Sequence, residues 1–166
     1  FVDDIHSLPD SVRLVAQYVS MGLMFNQLDI LHLDMWWIVI LALIVCVGAT
    51  NIINFMDGVN GITGGYSLAV LVPLLLMNKK IHLMESSFLI VMILSVLVFC
   101  LFNFRPKNRA KCFAGDVGSI GIAFILLFSI GKLVMQTGDI TWLSFLVVYG
   151  VDGCLTICHR IMLHEN

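Results

Sequence analysis

Charged side chains are scarce in this sequence. Asp, Glu, Lys and Arg make up 12% of the 166 residues, whereas 60% are hydrophobic and the mean hydropathy is +1.00. Soluble domains carry roughly a quarter charged residues, so the composition excludes an ordinary soluble domain and predicts an integral membrane protein. The net charge of -2 says little about partners, and no nucleic-acid partner is expected.

A disulfide framework is also lacking. The five cysteines are scattered and lie mostly inside apolar runs, which is typical of buried small hydrophobic residues. Cys154, Cys158 and His159 are close in sequence, but the spacing of a four-ligand metal site is missing. The alternation of apolar and polar residues that marks membrane β-strands is absent as well. Membrane-spanning helices remain as the expected architecture.

Six apolar runs are each close to the roughly 20 residues that a helix needs to cross the hydrocarbon layer. They cover residues 12–25, 35–53, 62–77, 83–104, 117–135 and 140–158. The first is the weakest because Arg13 and Gln17 interrupt it, and Asp10 or Ser11 is expected as its N-cap. The sequence thus predicts an all-α fold, a polytopic transmembrane helix bundle with about six spans.

The ends of the chain predict that residues 1–166 form one partial transmembrane domain. The sequence opens on Phe1 and not on an initiator Met, and no signal peptide can be read from it. The last residues show no recognisable stop to the final helix. We therefore expect an internal piece of a longer membrane protein.

The densest polar stretch follows the second span. Asn51, Asn54 and Asp57 are three residues apart, so that on a helix they would lie near one face and drift slowly around it. Asn60 comes next, and Gly61 permits a turn or a close backbone approach. Polar residues placed like this in a membrane protein usually mark a site, although a polar loop with a helix cap at Asp57 or Asn60 would also account for them.

Six crossings place every dense polar cluster on one side of the membrane. The clusters are the Asp3-Asp4 pair, the loop 54–61, the loop 105–118 with its basic residues and Asp116, and the His159-Arg160 tail. More Lys and Arg residues fall on this side than on the other, so the positive-inside rule makes it cytoplasmic, although Lys79 and Lys80 disagree. The expected location is the inner (plasma) membrane, with the site on its cytoplasmic face.

Carboxylates and cations on the same side suit a diphosphate bound with Mg²⁺. The carboxylates are Asp3, Asp4, Asp57 and Asp116. Mg²⁺ prefers one or two carboxylates plus substrate phosphates, and Lys111 and its basic neighbours suit the remaining phosphate oxygens. Gly115 lets the backbone approach a ligand. Structural alternatives stay open: solvated charge for the Asp3-Asp4 pair, a topology determinant for the basic loop, and a helix N-cap for Asp116.

Several motifs, in order, resemble the polyprenyl-phosphate N-acetylhexosamine-1-phosphate transferases, or glycosyltransferase family 4. They are residues 1–4 (FVDD), 13–17 (RLVAQ), 51–61 (NIINFMDGVNG) and 111–119 (KCFAGDVGS). The superfamily includes phospho-N-acetylmuramoyl-pentapeptide transferase. The resemblance implies a Mg²⁺-dependent enzyme, with Mn²⁺ as an alternative ion. It would move a HexNAc-1-phosphate from a UDP-sugar to undecaprenyl phosphate, release UMP, and so begin a cell-wall or surface-polysaccharide lipid intermediate.

The resemblance also implies roles by position. The catalytic residues would be Asp3, Asp4, Asp57 and Asp116, with Asp116 and Asp57 binding the metal. The substrate-binding residues would be Asn51, Asn54, Asn60, Lys111, Gly115, His159 and Arg160. Many members have Asp where this chain has Asn60, and the family's earlier helices and His-rich loop are not matched. UDP-sugar, polyprenyl phosphate and membrane lipid are the expected partners, and a homodimer is an open alternative.

Two rival classes are considered. An intramembrane aspartyl protease also uses two aspartates on adjacent spans, but its Gly-x-Gly-Asp signature is replaced here by Phe113-Ala114-Gly115-Asp116. A membrane transporter places polar groups near the middle of the bilayer, whereas the polar residues of this chain collect at one interface.

Overall fold

The computed structural model describes residues 9–32, 35–106 and 109–163. Six α-helices follow one another in these ranges, and we number them in chain order. They are α1 (Asp10–Gln27), α2 (Trp36–Met56), α3 (Ile62–Ile81), α4 (Ser86–Asn103), α5 (Gly115–Thr137) and α6 (Val147–Leu163). Two short 3-10 segments, Ile30–His32 and Ile140–Leu146, follow α1 and precede α6. The predicted all-α class is confirmed, since the described ranges contain no strand.

Helices α2 to α5 are long and apolar enough to cross a membrane, and they are the four that qualify among the described residues. They confirm four of the six predicted spans and make the chain an integral membrane protein. The predicted first span is a helix, but Arg13 and Gln17 make α1 less apolar than those four. The predicted sixth span begins as the 3-10 segment and continues into α6, and its residues Ile140–Thr156 form a shorter apolar helical stretch.

Two helix ends differ from the prediction in ways that shape the site. Helix α2 continues past the expected end at residue 53, so Asn54 is helical and Asp57 is the C-cap. The following helix has Gly61 as its N-cap and no side-chain cap, so a cap at Asn60 is wrong. The expected cap at Asp10 or Ser11 is also wrong, because residue 9 is the N-cap of α1.

Helix α5 is the centre of the bundle because it contributes to every buried cluster. Its Leu126, Ile130 and Leu133 pack with residues of α3 and α4 such as Leu74 and Leu89. Leu127 packs instead with α1 and α2. Among lipid tails that are equally apolar, such close side-chain packing is what holds helices together. The position of α5 therefore decides how the other helices are arranged.

Asn103 ties three segments together at one end of the bundle. Its Oδ1 accepts the Gly61 N–H at 2.6 Å, and its Nδ2 donates to the Cys112 carbonyl at 2.9 Å. Gly61 has a φ of +84° and lies against the Phe104 ring, so a side chain there would meet both backbone strain and a clash. These contacts bring the loop after α2 and the segment before α5 to the same end.

We expect Asn103→Ala to destabilise the protein by about 1–3 kcal/mol, because the Gly61 N–H and the Cys112 carbonyl would lose their buried partner. Denaturant unfolding of the complete protein in detergent would measure this. The matched control is Ser95→Ala on the exposed face of the same helix, where the hydroxyl only bonds the Val91 carbonyl. Its loss is expected to be within about 0.5 kcal/mol. Equal losses for the two variants would contradict the assigned role of Asn103.

Candidate active site

Asn54 joins the end of α2 to the first turns of α5. Its Nδ2 donates to Asp116 Oδ1 at 3.0 Å, and its Oδ1 accepts from Ser119 Oγ at 2.6 Å. Both ends of the amide are therefore engaged, which fixes the orientation of Asn54. Asp116 lies in the first turn of α5, and the N-cap position belongs to Ala114. The Asp116 carboxylate accepts a hydrogen bond from Asn54 of a neighbouring helix and does not cap its own helix. The interpretation of Asp116 as an N-cap is therefore wrong.

Asp57 is held by the same end of α5. Its Oδ2 accepts the N–H of Gly115 at 3.2 Å, and the side chain is buried. The first N–H groups of a helix have no partner within the helix and carry partial positive charge, so a carboxylate is stabilised there. Gly115 has a φ of +63°, a left-handed conformation that glycine adopts without strain. Asp57 and Asp116 thus meet at one helix N-terminus.

Arg13 and Gln17 bring α1 to this place. Arg13 Nη2 lies 3.6 Å from Asp116 Oδ2, both side chains being partly exposed. Gln17 and Asn51 form a reciprocal amide pair, with N–O distances of 3.2 Å and 2.9 Å. Sequence reasoning included residues 13–17 in the family resemblance but gave Arg13 and Gln17 no role in the site. The available signal was their spacing of four residues, which places both on one face of α1.

Ser119 is another residue whose contribution sequence reasoning missed. Sequence reasoning gave Ser119 no role beyond its place in the motif 111–119, yet its buried hydroxyl lies at hydrogen-bond distance from both Asn54 Oδ1 and the Gly115 carbonyl. The signal was its position about one turn after Asp116, just before the apolar stretch 120–128. We use the name polar cluster for Arg13, Gln17, Asn51, Asn54, Asp57, Gly115, Asp116 and Ser119.

Asn60 and Lys111 lie beside the polar cluster but do not join it. Asn60 Nδ2 donates to the Arg105 carbonyl at 3.2 Å. The Lys111 N–H donates to the Phe102 carbonyl at 2.9 Å, and its side chain is exposed. Between described residues, no hydrogen bond or ion pair links either side chain to the cluster. Their predicted substrate-binding roles stay predictions.

The remaining predicted site residues lie either on α6 or outside the described residues. His159 is exposed on α6, and no hydrogen bond or ion pair to the polar cluster is found for it in the described part of the chain. Arg160 belongs to α6, but its side chain is outside what the structure describes. Asp3 and Asp4 lie outside the described residues, so their catalytic roles also stay predictions.

The carboxylates of the polar cluster fit a hard divalent cation. Asp57 and Asp116 are brought to the same helix end, and Mg²⁺ accepts one or two carboxylates when substrate phosphates complete its ligands. No group of three or more His, Cys, Asp and Glu side chains able to hold a metal occurs within residues 9–32, 35–106 and 109–163. Asp57 and Asp116 therefore fit an ion whose remaining ligands come from a substrate.

Two neighbouring grooves run along α5, and Val117 and Gly121 line both of them. The groove between α1 and α5 has a volume of about 560 Å³, with Arg13 and Asp116 in its lining and an apolar wall that includes Ala16, Ile120 and Phe124. The other groove, about 410 Å³, lies between α4 and α5, and its lining contains no charged residue. Only the first of these two grooves therefore combines an apolar wall with charged groups from the polar cluster.

The family model described as "Glycosyl transferase family 4" matches residues 1–134. This chain belongs to glycosyl transferase family 4. The membership favours the predicted transferase class over the protease and transporter alternatives. It covers α1 to α4 and most of α5, and thus all of the polar cluster.

Curated relatives cover much of this chain. A probable undecaprenyl-phosphate N-acetylglucosaminyl 1-phosphate transferase of Bacillus subtilis is 29% identical over 181 aligned positions, covering 97% of this chain and 49% of the relative. The phospho-N-acetylmuramoyl-pentapeptide-transferase of Dictyoglomus thermophilum is 38% identical, covering 67% of this chain and 32% of the relative. That of Thermotoga neapolitana is 36% identical over 52% of this chain and 27% of the relative. The chain thus spans half or less of their length. No solved structure matches it.

The amide pair between α1 and α2 predicts energetic coupling. In a double-mutant cycle of Gln17→Ala and Asn51→Ala, we expect a coupling free energy of about 0.5–2 kcal/mol, because each single change already removes both hydrogen bonds of the pair. Unfolding of the complete protein in detergent would supply the four values. The control cycle combines Gln17→Ala with Asn78→Ala, where Asn78 bonds Met84 and Ser86 in the loop after α3. That cycle should be additive within about 0.5 kcal/mol; additivity in both cycles would refute the coupling.

Proposed function

We propose that the complete protein transfers a HexNAc-1-phosphate from a UDP-sugar to polyprenyl phosphate and releases UMP. The observation that carries this proposal is the polar cluster itself: two carboxylates and a cation at one helix N-terminus, beside an apolar groove. Family membership supports the reaction class, and the name of the Bacillus subtilis relative supports an undecaprenyl-phosphate acceptor. We place the reaction at the cytoplasmic face of the plasma membrane, as the first step toward a cell-wall or surface-polysaccharide lipid intermediate.

We assign Asp57 and Asp116 to Mg²⁺, with Mn²⁺ as the alternative ion. When bound, the ion would neutralise negative charge on the diphosphate of the UDP-sugar. Asn54, whose amide Ser119 orients, holds the Asp116 carboxylate in one orientation, and the Gly115 N–H does the same for Asp57. Both carboxylates therefore need little reorganisation when the donor substrate arrives, which is the advantage of a preorganised site.

The transfer itself is a displacement at phosphorus. An oxygen of the polyprenyl phosphate attacks the β-phosphorus of the UDP-sugar and forms a new P–O bond. The bond from that phosphorus to the bridging oxygen breaks, and UMP leaves with the electron pair. Arg13 contacts Asp116 and lines the groove between α1 and α5, so we assign it to orient the acceptor phosphate. Positioning and charge stabilisation supply most of the catalysis in such reactions.

A two-step route would require a carboxylate nucleophile, for which Asp57 is the candidate. The structure favours a holding role for Asp57, because the side chain is only 9% exposed and one of its oxygens already accepts the Gly115 N–H. Direct attack by the acceptor phosphate needs no such exposure of Asp57. Trapping of a phosphorylated Asp57 would overturn the one-step route.

The groove between α1 and α5 suits the acceptor lipid. A polyprenyl phosphate needs an apolar surface for the isoprenoid chain and a cation for the phosphate, and this groove offers both next to Asp116. Arg13 stands at the polar part, while Ala16, Ile120 and Phe124 provide apolar wall. The groove between α4 and α5 offers apolar wall without a charged group.

Asp116→Asn should lower lipid-dependent UMP release by at least about 100-fold, because it removes negative charge where donor, metal and acceptor meet. The assay uses membranes containing the complete protein, UDP-N-acetylglucosamine and undecaprenyl phosphate. Addition of a chelator should abolish release, and Mg²⁺ should restore it. The matched control is Asp139→Asn, an exposed carboxylate after α5 that accepts hydrogen bonds only from Thr141. Equal activity of both variants, or release that persists with chelator, would count against the assignment.

A bulky side chain in the lipid groove should weaken acceptor binding alone. Ser20 lines the groove between α1 and α5. We expect Ser20→Phe to raise the KM for undecaprenyl phosphate by about tenfold or more and to leave the KM for the UDP-sugar unchanged. Ser95→Phe makes the same exchange in the groove between α4 and α5 and should change neither value. The reverse pattern would place the isoprenoid chain between α4 and α5.

A further inference from the structure

Two buried hydroxyl groups near the polar cluster lack hydrogen-bond partners within the described residues. They belong to Tyr149 of α6, which is 6% exposed, and Thr63 of α3, which is 2% exposed. The two side chains are neighbours, but their hydroxyls do not meet at hydrogen-bond geometry. An unpaired buried polar group costs about 1–3 kcal/mol, so such groups are uncommon without a reason. By contrast, the nearby Tyr66 hydroxyl donates to the Phe145 carbonyl.

Tyr149 packs against residues that adjoin the polar cluster in sequence. It forms one buried cluster with Ile53 and Ala123. Ile53 precedes Asn54 in α2, and Ala123 lies one turn after Ser119 in α5. The Tyr149 ring is thus packed against the two helix segments that carry the hydrogen bonds of the site.

Helix α6 is fixed in this place by two further contacts. The Tyr149 ring packs edge-on against the Tyr66 ring, with 3.9 Å between centroids. Gly153, one turn further along α6, lies against the Ile52 side chain, and any larger residue would collide with it. The face of α6 that carries Tyr149 and Gly153 therefore packs against the bundle and holds the tyrosine ring in a defined place.

The ionisable groups around the Tyr149 hydroxyl are Asp57, Asp152 and Tyr66, each close enough for an electrostatic interaction with it. Asp57 is the one with a place in the polar cluster, where its Oδ2 accepts the Gly115 N–H. A carboxylate can accept about four hydrogen bonds, so Asp57 can take a further donor. A phenol O–H is such a donor, and a bond to an ionised acceptor is stronger than one between neutral groups.

We propose that Tyr149 is a positioning residue for Asp57. In the substrate-bound enzyme its hydroxyl, together with that of Thr63, donates to the Asp57 carboxylate directly or across one water molecule. That bond orients the carboxylate toward the divalent ion shared with the diphosphate. The proposal rests on the function proposed above and adds to it a residue of α6, which lies beyond the part of the chain that the family model matches.

Removing the Tyr149 hydroxyl should affect metal binding without lowering the stability of the protein. Tyr149→Phe removes a hydroxyl without a protein partner among the described residues, so the melting temperature should stay the same or rise. Metal binding should weaken about tenfold, the lower part of the range for residues that orient metal ligands. Tyr66→Phe is the matched control: it removes the hydrogen bond to the Phe145 carbonyl, so it should lower the melting temperature and leave metal binding unchanged. A merely structural role for Tyr149 would not produce this crossed pattern.

The test uses the complete protein in detergent with UDP-N-acetylglucosamine present and acceptor lipid absent. Free Mn²⁺ measured by electron paramagnetic resonance gives the dissociation constant for wild type, Tyr149→Phe, Tyr66→Phe and Thr63→Val. We expect about a tenfold rise for Tyr149→Phe and a smaller rise for Thr63→Val. In lipid-dependent UMP release, Tyr149→Phe should need about tenfold more Mg²⁺ for half-maximal rate, with kcat largely recovered at saturating Mg²⁺.

The outcomes distinguish this inference from the proposed function. Suppose that Tyr149→Phe has the wild-type dissociation constant for Mn²⁺ and that the wild-type protein shows Mg²⁺-dependent UMP release. That result would overturn the role of Tyr149 and leave the transferase proposal standing. Absence of release from wild type would overturn the transferase proposal, and Mn²⁺ binding would still decide whether Tyr149 orients a metal-binding carboxylate. Absence of both release and Mn²⁺ binding would overturn the two together.

Discussion

Hydrogen bonds between the end of α2 and the beginning of α5 hold the polar cluster together. Asn54 contacts Asp116 and Ser119, and Asp57 contacts the Gly115 N–H. These bonds connect two membrane-spanning helices and include the buried side chains of Asp57 and Ser119, so leaving one of those groups unpaired would be costly. Helix α1 and both grooves are arranged around the same turns of α5. A shift of the first turn of α5 would therefore displace the carboxylates, the cation and the groove walls together.

The helix end that holds the two carboxylates carries positive charge. The α5 N-terminus stabilises Asp57, and Arg13 stabilises Asp116. Arg13 and Asp116 are partly exposed, so their ion pair contributes at most about 1 kcal/mol. In the proposed function, both carboxylates attract the divalent ion of a metal–diphosphate complex.

The opposite end of the bundle shows that buried polar residues alone do not make a site. Asn78 is as buried as Asn103, and it bonds Met84 and Ser86 in the adjoining loop. Gln136 bonds the Ile81 carbonyl and so links the ends of α5 and α3. These amides satisfy neighbouring backbone and side-chain groups and do not engage a carboxylate. The polar cluster differs because it combines carboxylates, a cation and a helix N-terminus next to an apolar groove.

Composition and local spacing alone determined the all-α class, the four long apolar helices and the polar end of α2, because a helix depends on neighbouring residues. The steps of three from Asn51 to Asp57 also follow from the sequence, but each step rotates by about 60° around a helix. Only tertiary packing decided that Asn51 faces α1 while Asn54 faces α5. It likewise decided that Ser119 joins the cluster and that Tyr149 packs against Ile53 and Ala123 beside it. The hydrogen bonds from Gln17 to Asn51 and from Ser119 to Asn54 join residues 34 and 65 positions apart, and no local pattern encodes the rotation and packing of one helix against another.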